Sequence, residues 1–379
     1  MPTQRSLGLD LLRLLAVVMV IVSHLVMEPI PDSWMPSLSY VLYYGTAGVN
    51  LFFVLSGFLV SGLLFAEYKR RGEISIKRFY LRRAWKIYPA FYLFMTLSYL
   101  YCRFGLGDKI RDRILAREVF FFQNYVPGYW YHTWSLAVEE HFYLILPLIL
   151  LFMVKRSGGQ NPFARIPILV PAIAAVVLML RCLTCYLQPE YNFYTHAFPT
   201  HLRIDGLFIG VMIAYYYHFH SAGFRSSLFR WRHVLIGAGA AGLISLRFMG
   251  ASAWFCYTFW SLQECLSAAA ILCGVVLCAI PTNRVIRSLA LVGSYSYSIY
   301  LWHLASIYFV TPRLRDSVSW EWRAIIYLVS AFVVGIVMAN IWELPMLKLR
   351  DRWFPSELKT GQPTLSLNTA HEPLTKLAA

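Results

Sequence analysis

The stretch 9-LDLLRLLAVVMVIVSHLVM-27 is apolar over the length of a lipid bilayer, yet it carries Arg13 and His24. A span needs roughly 20 mostly apolar residues, and an ionisable side chain inside one is costly enough to require a reason. Eleven positions separate Arg13 from His24. At about 100° per residue, eleven steps make almost three full turns, so both side chains share a face, roughly 16 Å apart along the axis. Arg13 is then expected in the cytoplasmic third of the span and His24 near its outer end. Asp10, one turn before Arg13, is placed to pair with it. Two readings stay open on spacing alone: Arg13 snorkels to the headgroups beside an interfacial His24, or the pair marks the two ends of one functional face.

The rest of the chain repeats this apolar character. Hydrophobic residues make up 58% of the 379 and charged residues 14%, with a mean hydropathy of +0.54. These values point to an all-α, polytopic membrane bundle. About ten spans are expected: Leu7–Met27, Gly45–Ala66, Ile87–Phe104, Ser135–Val154, Ile166–Leu187, Arg203–His220, His233–Phe248, Trp260–Ile280, Ser294–Val310 and Ala324–Leu344. They form one transmembrane domain over residues 1–350, followed by a polar, disordered tail over 351–379. The first stretch is too long for a cleaved signal peptide and lacks a small-residue cleavage site, so it is read as a retained helix. No internal repeat is visible, which speaks against folds built from two similar halves.

The net charge of +15 does not indicate nucleic acid, because the basic residues punctuate apolar segments rather than forming one patch. They fall mainly in alternate loops: 69-KRR-71 through Lys86, then Lys155, Arg156 and Arg165, then Arg225, Arg230 and Arg232, then Arg284 and Arg287. The loop 28–44 between the first two spans has none. This alternation places both termini in the cytoplasm. The segment from Arg103 to Trp134 resists it, with five basic residues on the side assigned to the exterior. None of the seven cysteines has disulfide-framework spacing. Cys182 and Cys185 form a CxxC on an expected membrane helix with no second ligand pair, so packing is the reading there rather than a metal site.

Three constellations can carry chemistry. Besides Arg13 and His24, the run 130-WYHTWSLAVEEHFYLILP-147 opens an apolar helix with Glu139, Glu140 and His141. A helix N-terminus favours carboxylates, and a partly desolvated Glu acquires the raised pKa a general acid or base needs. His24, also expected at the outer interface, is placed to meet Glu139 across helices. A capping carboxylate pair explains the same residues equally well. In 78-RFYLRRAWKIYP-89, Arg82, Arg83 and Lys86 lie within about one helical turn, a cluster suited to phosphate oxygens or to plain positive-inside anchoring. Two weaker signals are 203-RIDGLFIG-210, with Arg203 and Asp205 at a span mouth and Gly206 and Gly210 for close packing, and 293-GSYSYSIYLWH-303, with Tyr297, Tyr300 and His303.

Together these segments resemble the acyltransferase 3 family of integral-membrane acyltransferases. The likeness rests on Arg13 and His24, on 45-GTAGVNLFFVLSGFL-59, 82-RRAWKIYP-89, 134-WSLAVEEHFY-143 and 203–210, and on the SYSIYLWH run ending at His303. The resemblance implies acyl transfer, by default acetyl, from a cytoplasmic acyl-coenzyme A to a hydroxyl of a cell-surface or lipid-linked carbohydrate. It implies a bacterial inner-membrane location and no metal. By resemblance His24 and Glu139 are catalytic, with Glu140 the second choice, and Asp10, Arg13, Arg82, Arg83, Lys86, Arg203, Asp205, Tyr297 and His303 bind substrate or donor. The chain departs from the family in Leu11, where glycine is usual, and in Lys86, where the loop motif has arginine. No SGNH-type hydrolase domain follows the bundle, so this chain is expected to acylate its acceptor itself or to hand the acyl group to a separate protein.

Coenzyme A's phosphates are then expected on Arg82, Arg83 and Lys86, with the pantetheine threading past Arg13 toward His24. His24 serves as general base on a sugar hydroxyl or as nucleophile, and the sequence leaves both routes open. A transporter or flippase using Arg13, His24 and Glu139 as a relay is the rival reading. Acceptor sugar, acyl group and oligomeric state are not specified.

Overall fold

The structure is a computed structural model that describes residues 7–35, 44–105, 112–157, 161–248 and 253–355. All regular structure among these residues is helical. The chain runs through α1 (Leu7–Ser23), α2 (Gly45–Arg71), α3 (Ile76–Leu100), α4 (Asp112–Val119), α5 (Trp134–Arg156), α6 (Ile166–Leu187) and α7 (Ile204–Phe219). It continues with α8 (Ser221–Phe229), α9 (Arg232–Phe248), α10 (Ala253–Thr258), α11 (Trp260–Val276), α12 (Arg284–Ser294), α13 (Ser296–Phe309), α14 (Trp320–Met338) and α15 (Leu344–Trp353).

Glycines set the closest approaches, because only a missing Cβ lets two membrane helices touch backbone to backbone. A Cβ on Gly57 of α2 would lie 1.9 Å from the Leu207 carbonyl oxygen, and one on Gly210 of α7 would lie 2.2 Å from that of Val54. The expected packing role of Gly210 is therefore met in both directions. The α1–α12 contact works the same way: a Cβ on Gly293 would sit 1.9 Å from the Asp10 carbonyl oxygen. Close approach to the start of α1 thus comes from the facing helix, although Leu11 replaces the usual glycine.

Among the described residues, five helical stretches are long and apolar enough to cross a membrane: Leu7–Met27, Gly45–Arg71, Tyr131–Arg156, Ile166–Leu187 and Trp320–Trp353. Ile204–Phe219, Arg232–Leu246 and Trp260–Val276 are shorter apolar helices. The count of ten spans is thus not reproduced by length and hydropathy. Ile87–Phe104 corresponds to a helix starting at Ile76, so the basic motif lies on α3 itself rather than in a loop. The start of the expected tail at 351 falls within a helix, since α15 continues through Trp353, and residues 356–379 of it lie outside the described residues.

Contacts gather the alternate loops at opposite ends of the bundle. At one end Asn124 donates to Thr200 Oγ1 over 2.8 Å, the Tyr191 and Tyr257 rings stack 4.5 Å apart, and Trp34 donates to Glu321 over 2.9 Å. At the other end Lys69 donates to the His218 carbonyl over 2.9 Å, and Phe65 packs on Phe163 with ring centres 5.0 Å apart. The segment that resisted the alternation belongs to the first end. There α4 and the turns after it fold onto the bundle, with Phe121 stacked on Phe91 at 4.7 Å and Trp130 against Phe94 at 4.9 Å.

Candidate active site

A cavity of about 450 Å³ opens at the basic end. Its walls include α2 residues from Arg71 back to Val49, a stretch of roughly 33 Å at the helical rise of about 1.5 Å per residue. Eight basic side chains line it, Arg13, Arg70, Arg71, Arg78, Arg82, Arg83, Lys86 and Arg350, against two acids, Glu67 and Glu139. The arrangement is a positively charged slot leading into an apolar bundle, suited to an elongated ligand with an anionic head.

The expected Arg13–Asp10 pair is present, with Asp10 buried and Arg13 facing the cavity. Arg82, Arg83 and Lys86 also line the slot, but they are not equivalent. Arg82 is held by the last helix: one guanidinium nitrogen donates to the Phe354 carbonyl and the other to Asp351 Oδ1 over 3.1 Å. Arg350 donates to the same carboxylate oxygen at 2.8 Å, and the Trp85 and Trp353 rings meet edge to face at 5.0 Å. Arg82 therefore fastens α15 to α3. Arg83 lies over the Tyr143 ring, 4.8 Å from its centre.

Glu139 lines the slot, while Glu140 turns toward α3. A relay of donors holds Glu139: Ser56 Oγ donates to Tyr143 Oη over 2.6 Å, and Tyr143 donates to Glu139 Oε2 over 2.7 Å. Glu140 accepts from Tyr88 at 3.0 Å, and its other oxygen is buried without a hydrogen-bond partner among the described residues. The expected meeting of Glu139 with His24 is not what the structure shows. Glu139 shares the slot with Arg83 and Lys86, and His24 is not among the lining residues. The reason is helical phase: Glu139 lies more than a turn into α5, on the side facing α2 and α3.

His24 follows the last residue of α1 and opens a 3-10 turn, His24–Met27. Its Nδ1 donates to the Val20 carbonyl over 2.8 Å, which leaves Nε2 as the basic nitrogen. Edge to face with it, at 4.9 Å, is His303 of α13. His303 packs in turn on His132, at 5.0 Å, and on Tyr300, at 5.6 Å. Tyr300 lines the slot and is fixed by donating to the His132 carbonyl over 2.6 Å while accepting from Ser135 over 2.5 Å. Tyr300 and His303 therefore link the slot wall to His24 through successive ring contacts. Tyr297, also lining the slot, donates to the Ile87 carbonyl over 2.9 Å.

Arg203 and Asp205 belong elsewhere. Asp205 receives Arg181 Nη2 at 2.8 and 2.9 Å, both groups fully inside the bundle. Arg203 donates to Ser261 over 2.7 Å and to Asn50 over 3.1 Å, and Asn50 donates to Glu264 over 2.6 Å. Two cations thus balance two anions between α2, α6, α7 and α11, a neutral network separate from the slot.

Sequence reasoning did not single out His132 or Glu118. The signal for His132 was its place two residues before the helix-opening 134-WSL-136, on the turn that leads into α5. Glu118 organises the chain on which His132 sits, accepting from the Trp130 N–H and the Thr133 hydroxyl, each at 2.8 Å. Burial pushes its carboxyl up to about 7, against the opposing effect of these donors.

Comparison with known proteins finds relatives by sequence. The chain is 28% identical to the peptidoglycan O-acetyltransferase OatA of Listeria monocytogenes over 369 residues, covering 90% of this chain and 56% of the relative. It is 28% identical to the O-acetyltransferase OatA of Staphylococcus aureus over 380 residues, 92% of this chain and 57% of that one. A putative O-acetyltransferase of Staphylococcus aureus matches at 27% over 337 residues, 82% of this chain and 52% of the relative. The chain thus spans little more than half the length of these curated relatives. No solved structure matches it. A family model described as an acyltransferase domain covers residues 6–340, and the chain belongs to the acyltransferase 3 family of integral-membrane acyltransferases.

Proposed function

We propose that this protein is a membrane O-acyltransferase that takes an acyl group, acetyl by default, from acyl-coenzyme A and delivers it to a hydroxyl of a cell-surface carbohydrate. The observation that carries the reading is the basic slot, which leads from a cluster of arginines at one end of the bundle to Tyr300, a ring that packs on His303 and through it on His24. Its mouth offers guanidinium forks for phosphates. Its length suits a long, thin donor chain, and Lys86 and Arg13 flank the passage. The loop alternation supports an orientation with the basic end and both termini in the cytoplasm, where acyl-coenzyme A is found.

In this reading the acceptor hydroxyl attacks the thioester carbonyl while its proton passes to His24 Nε2. The thiolate leaves, takes the proton back from His24, and departs as coenzyme A. A nucleophilic His24, acylated at Nε2 and then relieved by the hydroxyl, balances equally. Glu139, held by Tyr143 beside Arg83, sits inside the donor slot and acts on the donor side. The names of the relatives suggest peptidoglycan as one acceptor class. Purified protein in proteoliposomes, given labelled acetyl-coenzyme A on one face and glycan acceptor on the other, tests the proposal. Label should reach the acceptor, and His24→Ala should abolish transfer in protein that still inserts and runs monodisperse. Movement of an intact solute without label transfer would favour the transporter instead.

A further inference from the structure

His24, His303 and His132 form a row of three imidazoles from three separate elements, with ring centres 4.9 and 5.0 Å apart. Each spends its N–H on a backbone carbonyl. His24 Nδ1 donates to Val20 at 2.8 Å, His303 Nδ1 to Tyr300 at 2.6 Å, and His132 Nε2 to Leu301 at 3.1 Å. A carbonyl only accepts, so these bonds fix the tautomers and leave a bare lone pair on the other nitrogen of each ring. His303 and His132 are 0% and 1% exposed, and their remaining nitrogens, Nε2 and Nδ1, have no partner among the described residues. Burying an acceptor without a donor is unfavourable, so two side by side call for a reason.

The reason lies in what His24 becomes. Whether it takes a proton or an acyl group at Nε2, its ring turns cationic beside two buried imidazoles, and dipoles on that side act more strongly than they would in water. Glu28, a buried carboxylate four residues on, is already engaged by Arg323 at 3.5 Å, by Arg315 at 4.0 Å and by the Thr311 hydroxyl. We infer that His303, backed by His132, positions His24: the His303 ring packs edge to face on His24, His132 packs on His303, and these two tautomer-locked neutral imidazoles stabilise the positive charge that forms on His24 during transfer. This rests on the acyl-transfer reading above.

The test uses amides that mimic one imidazole nitrogen at a time. At His303, Asn keeps the donor to Tyr300 and loses the acceptor at the Nε2 position, whereas Gln places an oxygen there. At His132 the geometry is reversed: Gln keeps the donor to Leu301, and Asn offers an acceptor at the Nδ1 position. Full-length monodisperse protein is assayed with acetyl-coenzyme A and glycan. His303→Asn and His132→Gln should lose about tenfold or more in kcat, with donor KM within about twofold. His303→Gln and His132→Asn should recover part of it. A purely structural role predicts losses in folded yield with normal kcat, or the same amide preferred at both positions, and either result overturns the inference. Where the variants at one position do not accumulate, the pair at the other decides alone. A wild-type protein that moves no label fails the acyl-transfer reading itself and takes this inference with it.

Discussion

Arg83 rests on the face of Tyr143, whose hydroxyl donates to Glu139. One aromatic side chain thus holds both a cation and a carboxylate at the wall of the slot. The ring face attracts the guanidinium, worth about 0.5–2 kcal/mol depending on desolvation, while the hydroxyl at its edge fixes the carboxylate. Ser56, donating to the same hydroxyl from α2, sets its direction. Tyr143 thereby commits Arg83 and Glu139 to one place before any ligand arrives.

Glu139 and Glu140 should separate cleanly under substitution. Glu139→Gln is expected to lower kcat by about 100-fold or more, the range of positioned acid–base groups, in protein that inserts normally. Glu140→Gln should act mainly on folded yield, since Glu140 packs against Tyr88 away from the slot. Tyr143→Phe should fall between wild type and Glu139→Gln, because it loses the hydroxyl but keeps the ring under Arg83. Steady-state kinetics normalised to monodisperse protein distinguishes the three, and equal loss in both glutamine variants would refute the assignment.

The neighbouring arginines should also differ. Arg83→Ala is expected to raise donor KM by about tenfold, since a charge-assisted contact is worth roughly 1.5–3 kcal/mol and 1.4 kcal/mol is a decade. Acceptor KM should be unchanged. Arg82→Ala should instead loosen α15, as should Asp351→Ala, and the double variant should add little to either. The pair is partly exposed, with side chains 23% and 32% accessible, so its contribution to stability is small, about 1 kcal/mol or less. Limited proteolysis near Trp353 is the sensitive readout. A donor KM effect for Arg82 as large as that for Arg83, without new cleavage, would return Arg82 to the phosphate site.

The membrane character, the helical class and the Asp10–Arg13 pair were legible in the sequence because each depends on local composition or on spacing within one helix. So was the gathering of Arg83, Lys86 and Arg13 at one end of the bundle, which the loop alternation anticipates. The partner of His24 was not legible, since it depends on the rotation of α13 and α5 relative to α1. Both His303 and Glu139 sit in apolar runs that show no preferred face. The same limit hid the role of Arg82, whose partner Asp351 is 269 positions away. Arg203 and Asp205 look like a site at a span mouth, and only the opposing Arg181 and Glu264 reveal a network of paired charges inside the bundle.

The two ends of the bundle give a topology test that needs no activity. With both termini cytoplasmic, Glu73→Cys, exposed after α2, should react with an impermeant thiol reagent only from the inner face of oriented vesicles. Ser317→Cys, exposed between α13 and α14, should react only from the outer face. Peptide-resolved mass spectrometry separates these sites from the native thiols. The reverse pattern would invert the orientation and move the basic slot to the outside, removing its access to a cytoplasmic donor.

Glu118 makes stability depend on pH in a direction that can be worked out. Its carboxyl is pushed up to about 7 by burial, so the folded protein binds this proton more tightly than the unfolded chain does. Stability from this group is fully present below the ordinary carboxylate range near 4.5, and it is lost as pH rises toward 7. The swing is on the order of 3 kcal/mol. Both protonation states can be accommodated. The carboxylate accepts from the Trp130 N–H and from Thr133, whereas the protonated acid can donate to Thr133 Oγ1, which then turns its own hydrogen to the Trp130 carbonyl at 2.8 Å. Glutamine satisfies the second arrangement at every pH. Thermal melts in detergent should therefore show Tm falling between pH 5 and pH 7 in the wild type and a shallower fall in Glu118→Gln, with the variant the more stable at pH 8. Parallel curves for the two proteins would show that Glu118 is ionised throughout. His132 lies on the same turn, so the variant's acyl-transfer rate at pH 8 should match the wild type if Glu118 serves only to fold it.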